Sequence, residues 1–293
     1  MQQVLATRDD LRRRDLIATG IGHAERALTL DPKSAEALEI RGSLRYARHR
    51  YGLAPDPTEA ATLLRTAEED LRQAIAIEGD RASALNALSL LLYRKYNKVE
   101  ANNYARRAYE ADAYLAAAPD IIYRLYATSY DLEQFVDATQ WCEEGRKRYS
   151  EQARFVFCEL RLMGTRPEPD VARTWRLVDE LVERTPSAGR EAARREAQMM
   201  AAVPLAKAGL VDSARRVMER ARAGRDVDPR GELLGAEAVS RVLIGDRDEA
   251  IRLMQVYLTS HPEHREGFVK ANTWWWRPLQ DDPRFQELVG SGS

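Results

Sequence analysis

The chain has 293 residues, of which 44% are hydrophobic and 31% charged, and its formal net charge is −1. This length allows two ordinary domains or one extended repeat array, and the high charged fraction favours an elongated molecule. The balanced charge differs from the strongly basic composition of a nucleic-acid binder. No stretch approaches the roughly 18–20 apolar residues of a membrane span, and the N-terminus lacks the apolar core of a secretory signal. We therefore expect a cytoplasmic protein with no nucleic-acid partner and no membrane span.

Helical patterns follow one another along almost the whole chain. Ala, Leu, Arg and Glu fill segments of about 12–16 residues in which apolar side chains recur three and four positions apart. Strand signals are nearly absent, because β-branched runs are few and Asn-Gly hairpin turns are missing. The sequence therefore predicts an all-α fold.

Small residues recur at fixed spacings within this pattern. Twelve residues separate Ser89 from Ala101, and seven more lead to Ala108. The same spacing is repeated at Ala202, Ala214 and Ala221, and again at Ala238, Ala250 and Tyr257. Two antiparallel helices joined by a short turn can approach closely only where both carry small side chains. We therefore interpret each segment as a helix–turn–helix unit.

The alanine of each second helix defines a period. It is found at Ala67, Ala101, Ala138, Ala172, Ala214 and Ala250, in steps of 34, 37, 34, 42 and 36 residues. With the matching endings "AERALTLDP" (24–32) and "LRQAIAIEGD" (71–80), residues 1–262 resemble the tetratricopeptide (TPR) repeat family. The resemblance implies a right-handed superhelical solenoid of about seven helix pairs, with a concave groove lined by the first helix of each pair.

Three departures from the period are visible. Insertions are expected near 50–62, where Pro55 and Pro57 favour a loop, and near 184–195. Gly145 takes the place of an alanine in the fourth unit, which weakens the helix by about 1 kcal/mol.

The C-terminal part, residues 263–289, is predicted to cap the array, and residues 290–293 are interpreted as a tail. One helix over 265–276 should end at Pro278, and a second should start with Asp282 as N-cap and Pro283 at its first position. Consecutive helical residues fan over about 200° for three positions, so three tryptophans cannot all face one core. We expect a structural plug rather than a ligand cage, formed by Trp274, Trp275, Trp276 and Phe285.

The resemblance implies a protein or peptide partner held in the groove. Tyr and Arg dominate binding hot spots, although the tyrosines could instead pack between adjacent units. The residues expected to face the groove are Tyr46, Asn86, Tyr93, Arg94, Tyr123, Tyr130, Phe157 and Arg161.

Signals for chemistry are absent from the sequence. It contains no Gly-rich phosphate loop and no Gly-x-Ser-x-Gly elbow. His261 and His264 lack neighbouring ligands for a metal ion. Cys142 and Cys158 fall on helices expected to be neighbours, where contact is possible but buried thiols are favoured. We expect no enzyme activity, no metal site and no cofactor.

The C-terminal "WRPLQDDPRFQELV" (276–289) resembles the ending of bacterial proteins in which TPR repeats follow a serine/threonine kinase, cyclase or transcription-regulator domain. The preference for Arg over Lys also favours a bacterial source. Our leading hypothesis is a non-enzymatic interaction scaffold, as a monomer or homodimer. The alternative is the regulatory or sensory region of a bacterial signalling protein whose catalytic domain lies outside this chain.

Overall fold

The computed structural model describes residues 9–265, 267–268 and 273–290, and within these ranges it contains helices but no strand. The all-α class predicted from the sequence is thus confirmed. The chain divides into two compact units, residues 1–124 and 125–293, at a point inside one helix. Among the described helices, none is long and apolar enough to cross a membrane.

The described part of unit 1, residues 9–124, contains five helices and the start of a sixth. Four of them begin at a side-chain N-cap, supplied by Asp9, Ser34, Asp56 and Asn97, which accepts a backbone N–H of the first turn. The helices are α1 (Asp10–Leu30), α2 (Ala35–Arg50), α3 (Pro57–Ile77), α4 (Ala82–Arg94), α5 (Lys98–Ala111) and α6 (Ala118–Asp131). Consecutive helices pack against one another from α1 to α5, and α2 also packs against α4.

Unit 2 continues from the second part of α6 with the same alternation. Its helices are α7 (Phe135–Arg148), α8 (Ala153–Met163), α9 (Val171–Arg184), α10 (Arg190–Lys207), α11 (Val211–Ala221), α12 (Glu232–Leu243), α13 (Arg247–Ser260) and α14 (Pro283–Gly290). Consecutive helices pack from α7 to α11 and again as the pair α12–α13. We call α2, α4, α6, α8, α10 and α12 the first helices of the pairs. Two further contacts, α8 with α10 and α10 with α12, join first helices of neighbouring pairs.

The small residues singled out in the sequence lie where paired helices approach most closely. Ser89 of α4 is fully buried, and its hydroxyl donates to the carbonyl of Ala101 in α5 at 2.7 Å. Ala202 of α10 and Ala214 of α11 are also fully buried. Side chains of this size let the two backbones come together, which explains the twelve-residue spacing.

The prediction of a buried alanine in each second helix is wrong at one position. Ala172 is exposed on α9, and the fully buried small residue of that helix is Thr174. The connection between α8 and α9 is longer than the other short turns, so the buried position moves two residues along the chain. The hydroxyl of Thr174 donates to the carbonyl of Asp170 at 2.8 Å, which satisfies this polar group inside the helix.

The first expected insertion, near 50–62, forms more helix and less loop than we predicted. Helix α2 runs to Arg50 and α3 starts at Pro57, so the first loop covers only residues 51–56. Pro57 occupies the first helical position, where its missing N–H leaves no hydrogen bond broken. The second insertion begins with a 3₁₀ turn over Ser187–Gly189 and then extends α10 to 18 residues.

Cys142 of α7 and Cys158 of α8 form a disulfide, with their Cα atoms 5.9 Å apart. Both residues are buried. The expectation of buried thiols is therefore corrected: the positions are buried, but the sulfurs are bonded to each other. Gly145 lies in the same helix contact and faces Phe155, whose ring occupies the space that a Cβ at this position would need.

Two buried carboxylates form ion pairs with arginines of neighbouring helical segments. In unit 1, Asp70 of α3 accepts from Arg41 and Arg45 of α2 at 2.6–2.9 Å. In unit 2, Glu237 of α12 accepts from Arg241 of the same helix and from Arg222, directly after α11, at 2.8–3.1 Å. Buried charges of this kind require such partners, because an unpaired carboxylate would be strongly destabilising.

The C-terminal residues pack on the last helix pair. Trp276, Leu279 and Phe285 join the buried cluster formed by α12 and α13. The helix expected over 265–276 extends into residues 266 and 269–272, which lie outside the described ranges. Its expected end at Pro278 is wrong, because a 3₁₀ helix runs from Trp274 to Leu279 with Pro278 inside it. Asp282 precedes α14, and its carboxylate accepts the backbone N–H of Arg284 at 2.9 Å.

Candidate functional site

The first helices of unit 2 line a cavity of about 350 Å³, which we call the groove pocket. Its wall is largely apolar, and Tyr130 contributes to it from α6. The apolar lining comes from α8, α10 and α12 and includes Phe157, Met200, Val203, Ala236, Val239 and Leu243. A concave apolar wall with a few polar groups is the usual character of a binding site.

Three charged residues accompany the apolar wall of the groove pocket: Arg161, Glu196 and Glu232. Burial raises the pKa of the Glu196 carboxyl above its ordinary value, while the positive charge of Arg161 acts in the opposite direction. The Arg161 guanidinium lies 4.4 Å from the centroid of the Tyr130 ring, a cation–π distance. Glu232 is also paired with Arg230 at 3.1 Å, so the pocket carries charged groups of both signs.

A second cavity in unit 2, of about 450 Å³, lies beside α7, α8 and α9. Its wall is dominated by charged side chains that bind one another. Arg146 donates to both oxygens of Glu180 at 2.8 and 2.9 Å, and it also lies 3.3 Å from the carboxylate of Glu159. Because these charges satisfy one another, this cavity offers a ligand less than the groove pocket does.

Residues 273–279, which we call the tail segment, consist of Thr273 and the 3₁₀ helix Trp274–Leu279 and contact two residues of the groove pocket, Tyr130 and Arg161. Trp274 Nε1 donates to the carbonyl oxygen of Tyr130 at 3.0 Å, across 144 positions of sequence. Its ring meets Phe135 edge-on with centroids 5.4 Å apart. The ring of Trp275 lies 6.0 Å from that of Tyr130 and 5.5 Å from the Arg161 guanidinium.

Arg277 completes the contact by forming an ion pair with Glu133, in the turn between α6 and α7. Glu133 has a left-handed backbone with φ of 62°. The same turn position in later pairs holds Gly209 and Gly245, with φ of 84° and 88°. A left-handed non-glycine residue is energetically unfavourable and often marks a functional position. Here it places a carboxylate opposite the tail segment.

The structure brings three of the predicted groove residues together. Tyr130, Phe157 and Arg161 all line the groove pocket, and Tyr130 is almost completely buried. Tyr130 packs through its ring and also presents its carbonyl oxygen to Trp274.

The remaining predicted groove residues belong to unit 1. Tyr46 is buried in α2, and burial raises the pKa of its hydroxyl. Asn86 of α4 is occupied by a hydrogen bond, since its side-chain oxygen accepts from Arg124 at 2.8 Å. Tyr93 and Tyr123 are partly buried and Arg94 is exposed. Their roles as groove residues stay predictions.

Sequence reasoning missed several residues of these surfaces. Arg124 is buried in unit 1, and burial lowers its pKa to about 10. Its position next to Tyr123 on a first helix was the available signal. Glu133 could have been found by aligning the turns, since it replaces the glycine of the "KAGLVD" and "LIGDRD" segments. Glu196 had no signal, because one glutamate in a charged helix looks like any other.

The predicted capping residues fall into two groups. Trp276 and Phe285 lie in the buried cluster of the last helix pair, with ring centroids 6.3 Å apart. Trp274 and Trp275 are only partly buried and contact Tyr130. The triplet therefore serves two surfaces of unit 2.

No group of metal-ligating side chains occurs among the described residues. His261 Nε2 lies 2.6 Å from the carbonyl oxygen of Arg230, and His264 Nδ1 lies 2.6 Å from the hydroxyl of Tyr257. Both rings thus hold the end of α13 in place.

The sequence matches no family model and no curated protein. Among solved structures, the chain is similar to YrrB, described as a TPR protein with an unusual peptide-binding site, at 13% identity and a TM-score of 0.41, over 84% of this chain and 96% of that one. It is also similar to a chain of the Naa15/Naa10 complex bound to HypK-THB, at 15% identity and a TM-score of 0.42, over 96% of this chain and 40% of that one. Both similarities are distant, and the fold assignment stands on the helix pairs themselves.

Proposed function

We propose that this chain is a non-enzymatic, TPR-like interaction scaffold that binds a partner peptide or protein segment along the first helices of unit 2. The groove pocket is the observation that carries the proposal. Its apolar wall offers burial to aliphatic or aromatic side chains, and its charged residues give orientation. The tail segment next to it supports the proposal further, because residues of an irregular segment already use this surface.

The chemistry of the pocket favours a segment with both apolar and basic groups. Burying one large apolar side chain contributes about 1.5–3 kcal/mol, and the volume of about 350 Å³ accommodates a few such side chains. Glu196 and Glu232 would attract a positively charged partner, while Arg161 offers a guanidinium for stacking.

A peptide-display experiment tests this function. A random peptide library is selected on the purified full chain, and the selected peptides are titrated by calorimetry. We expect the substitution Ala236→Trp to weaken binding by about tenfold or more, because the indole would fill the pocket and compete for its apolar wall.

The matched control is Val256→Trp, which adds the same side chain at an exposed position of α13 outside the pocket lining. Circular dichroism establishes that both variants keep their helical fold. Selected peptides that bind Ala236→Trp as tightly as the unchanged chain would contradict the proposal.

A second candidate function follows from the ending at residues 276–289. Its resemblance to bacterial TPR regions that follow a kinase, cyclase or regulator domain favours a sensory role for this scaffold, in the cytoplasm of a bacterium. The coding sequence around the chain tests this candidate: a catalytic or DNA-binding domain in the same reading frame would support it, and a stand-alone gene would contradict it.

A further inference from the structure

We propose that Trp274, Trp275 and Arg277 are an internal ligand of the groove of unit 2, and that the partner is a peptide of the same chemistry, an aromatic pair followed by an arginine, which binds by displacing them. This inference rests on the proposed function above and deepens it by naming the class of partner. The displaced state would keep the rest of the C-terminal cap in place.

The three tryptophans of the tail segment make different contacts. Trp276 is buried with Leu279 and Phe285 against α12 and α13, so it completes the core of the last helix pair. Trp274 and Trp275 are only partly buried and contact Tyr130 of α6. Trp275 also packs against that core, whereas Trp274 is not part of the cluster and packs on Tyr130 and Phe135.

The backbone carbonyl of Tyr130 binds the indole N–H of Trp274. The carbonyl of this residue lies in the last turn of α6, where carbonyl oxygens lack a partner within the helix. It accepts the N–H of Glu133 at 3.2 Å and, on its other side, the indole N–H of Trp274 at 3.0 Å. A helix end that accepts an indole N–H from a distant segment can accept one from a separate peptide.

The charge of the tail segment is complementary to that of the turn that it contacts. Glu133 stands at a left-handed turn position that later pairs fill with glycine, and its carboxylate meets Arg277. Glu196 and Glu232 line the neighbouring groove pocket, where Glu232 is also paired with Arg230 at 3.1 Å. The surface thus receives an aromatic group at α6 and a guanidinium at the following turn, which are the groups that the tail segment supplies.

The ion pair between Arg277 of the tail segment and Glu133 is weak enough for the segment to exchange with a free peptide. The side chains of Arg277 and Glu133 are 61% and 41% exposed, and exposed ion pairs contribute little. A tethered ligand acts at an effective concentration of about millimolar. A free peptide therefore displaces the tail segment where the ratio of its concentration to its dissociation constant exceeds the same ratio for the tethered copy.

A binding experiment with the segment itself tests the inference. The probe is a fluorescent peptide of residues 273–279 with alanine at the position of Trp276, titrated by anisotropy against the full chain. The double variant Trp274→Ala/Trp275→Ala removes the internal ligand and keeps Trp276 in the core. We expect the probe to bind this variant about tenfold or more tightly than it binds the unchanged chain, because no tethered copy competes.

Two further variants keep the experiment decisive if the double variant folds poorly. Arg277→Glu should also increase probe binding, because it opposes Glu133 at an exposed position outside the core. Combining it with Glu133→Arg should reduce probe binding again, because the exchanged pair holds the tail segment in place. A probe with alanine at both remaining tryptophans serves as the control and should bind none of the proteins.

The inference would be overturned if the probe bound equally to the unchanged chain, to Trp274→Ala/Trp275→Ala and to Arg277→Glu. It would also be overturned if the probe bound to none of these proteins. That result leaves the scaffold function standing if library peptides still bind the groove pocket in an Ala236-dependent manner. Failure of both experiments would reject the function as well.

Discussion

Gly145 shows how one residue is fixed by its neighbour. A Cβ placed on Gly145 would lie 2.1 Å from two atoms of the Phe155 ring. The ring is fully buried and stacks on Tyr149, with centroids 6.0 Å apart, so it has little room to move. The glycine that looked like a weak point of the fourth unit is therefore required by the close approach of α7 and α8.

We predict that Gly145→Ala destabilises the protein by about 1–3 kcal/mol, the usual range for overpacking a core. The substitution also improves helix propensity, which by itself would stabilise the protein. The sign of the change in unfolding free energy therefore shows whether helix propensity or overpacking against Phe155 is the larger effect. Thermal or urea unfolding followed by circular dichroism measures the change in free energy.

Gly22→Ala is the matched control, because Gly22 lies inside α1 and only the end of Arg26 comes within 4 Å of its added Cβ. We expect this variant to be more stable by about 0.5–1 kcal/mol. Equal gains at both positions would show that Phe155 does not restrict Gly145.

At the scale of elements, a disulfide fastens α7 to α8. We predict that reduction by dithiothreitol lowers the free energy of unfolding by about 2–4 kcal/mol, because the broken link no longer restricts the unfolded chain. The double variant Cys142→Ala/Cys158→Ala should be insensitive to the reductant. An unchanged melting curve of the original chain under reduction would contradict this prediction.

The disulfide also bears on the expected cytoplasmic location, since cytosolic disulfides are rare in most organisms. Thiol trapping in lysates of the native cells would report the state of Cys142 and Cys158 directly. The cytoplasmic expectation stays a prediction.

The ion pairs of Glu249 in α13, with Arg252 of the same helix and with Arg222 directly after α11, make stability depend on pH. Hydrogen bonding from Arg252, assisted by Arg222 and opposed by burial, lowers the pKa of Glu249 to about 2 from its ordinary 4.5. Because the folded state has the lower pKa, this stabilisation is present above about pH 4.5 and is lost as the pH falls towards 2.

We therefore predict that the melting temperature falls between pH 5 and pH 2, and that Glu249→Gln makes this fall smaller. Glu219→Gln, at an exposed position of α11, is the control and should leave the pH profile unchanged. Superimposable profiles for Glu249→Gln and the unchanged chain would exclude a contribution of Glu249.

At the scale of the whole molecule, contacts across 144 positions of sequence join the tail segment to the end of α6 and the turn after it. Glu133 of that turn has a positive φ, as has Tyr96 at the same turn position in unit 1. Glycine is better suited to both backbones. Stability and the tail contact can therefore be changed separately at position 133.

We predict that Glu133→Gly and Tyr96→Gly each leave stability unchanged or raise it by up to about 1 kcal/mol. Only Glu133→Gly should speed hydrogen exchange in residues 273–279, because it removes the partner of Arg277. Exchange measured by mass spectrometry checks this, and equal exchange in both variants would show that the ion pair does not hold the tail segment.

Much of the fold could be predicted because it follows from local rules. Apolar spacing gave the helices, and the repeated small residues such as Ser89 and Ala101 gave their pairing. The prediction failed at Ala172, where an irregular connection shifts the buried position to Thr174, and at Pro57, which starts a helix. In both cases the local signal is compatible with two structures, and packing selects one of them.

Less of the candidate site could be predicted. Tyr130, Phe157 and Arg161 were identified because the repeat places them on first helices. Glu133 and Glu196 were missed because their roles depend on neighbours that are distant in sequence.

By itself, the sequence determined that this protein is a series of paired helices, since helical period, small-residue spacing and N-caps act over a few residues to one repeat. Only the tertiary structure decided that Cys142 bonds to Cys158, that Phe155 requires Gly145, and that two of three consecutive tryptophans lie against Tyr130. These contacts join residues from 10 to 145 positions apart. Their energies depend on the three-dimensional path of the chain, which no local pattern specifies.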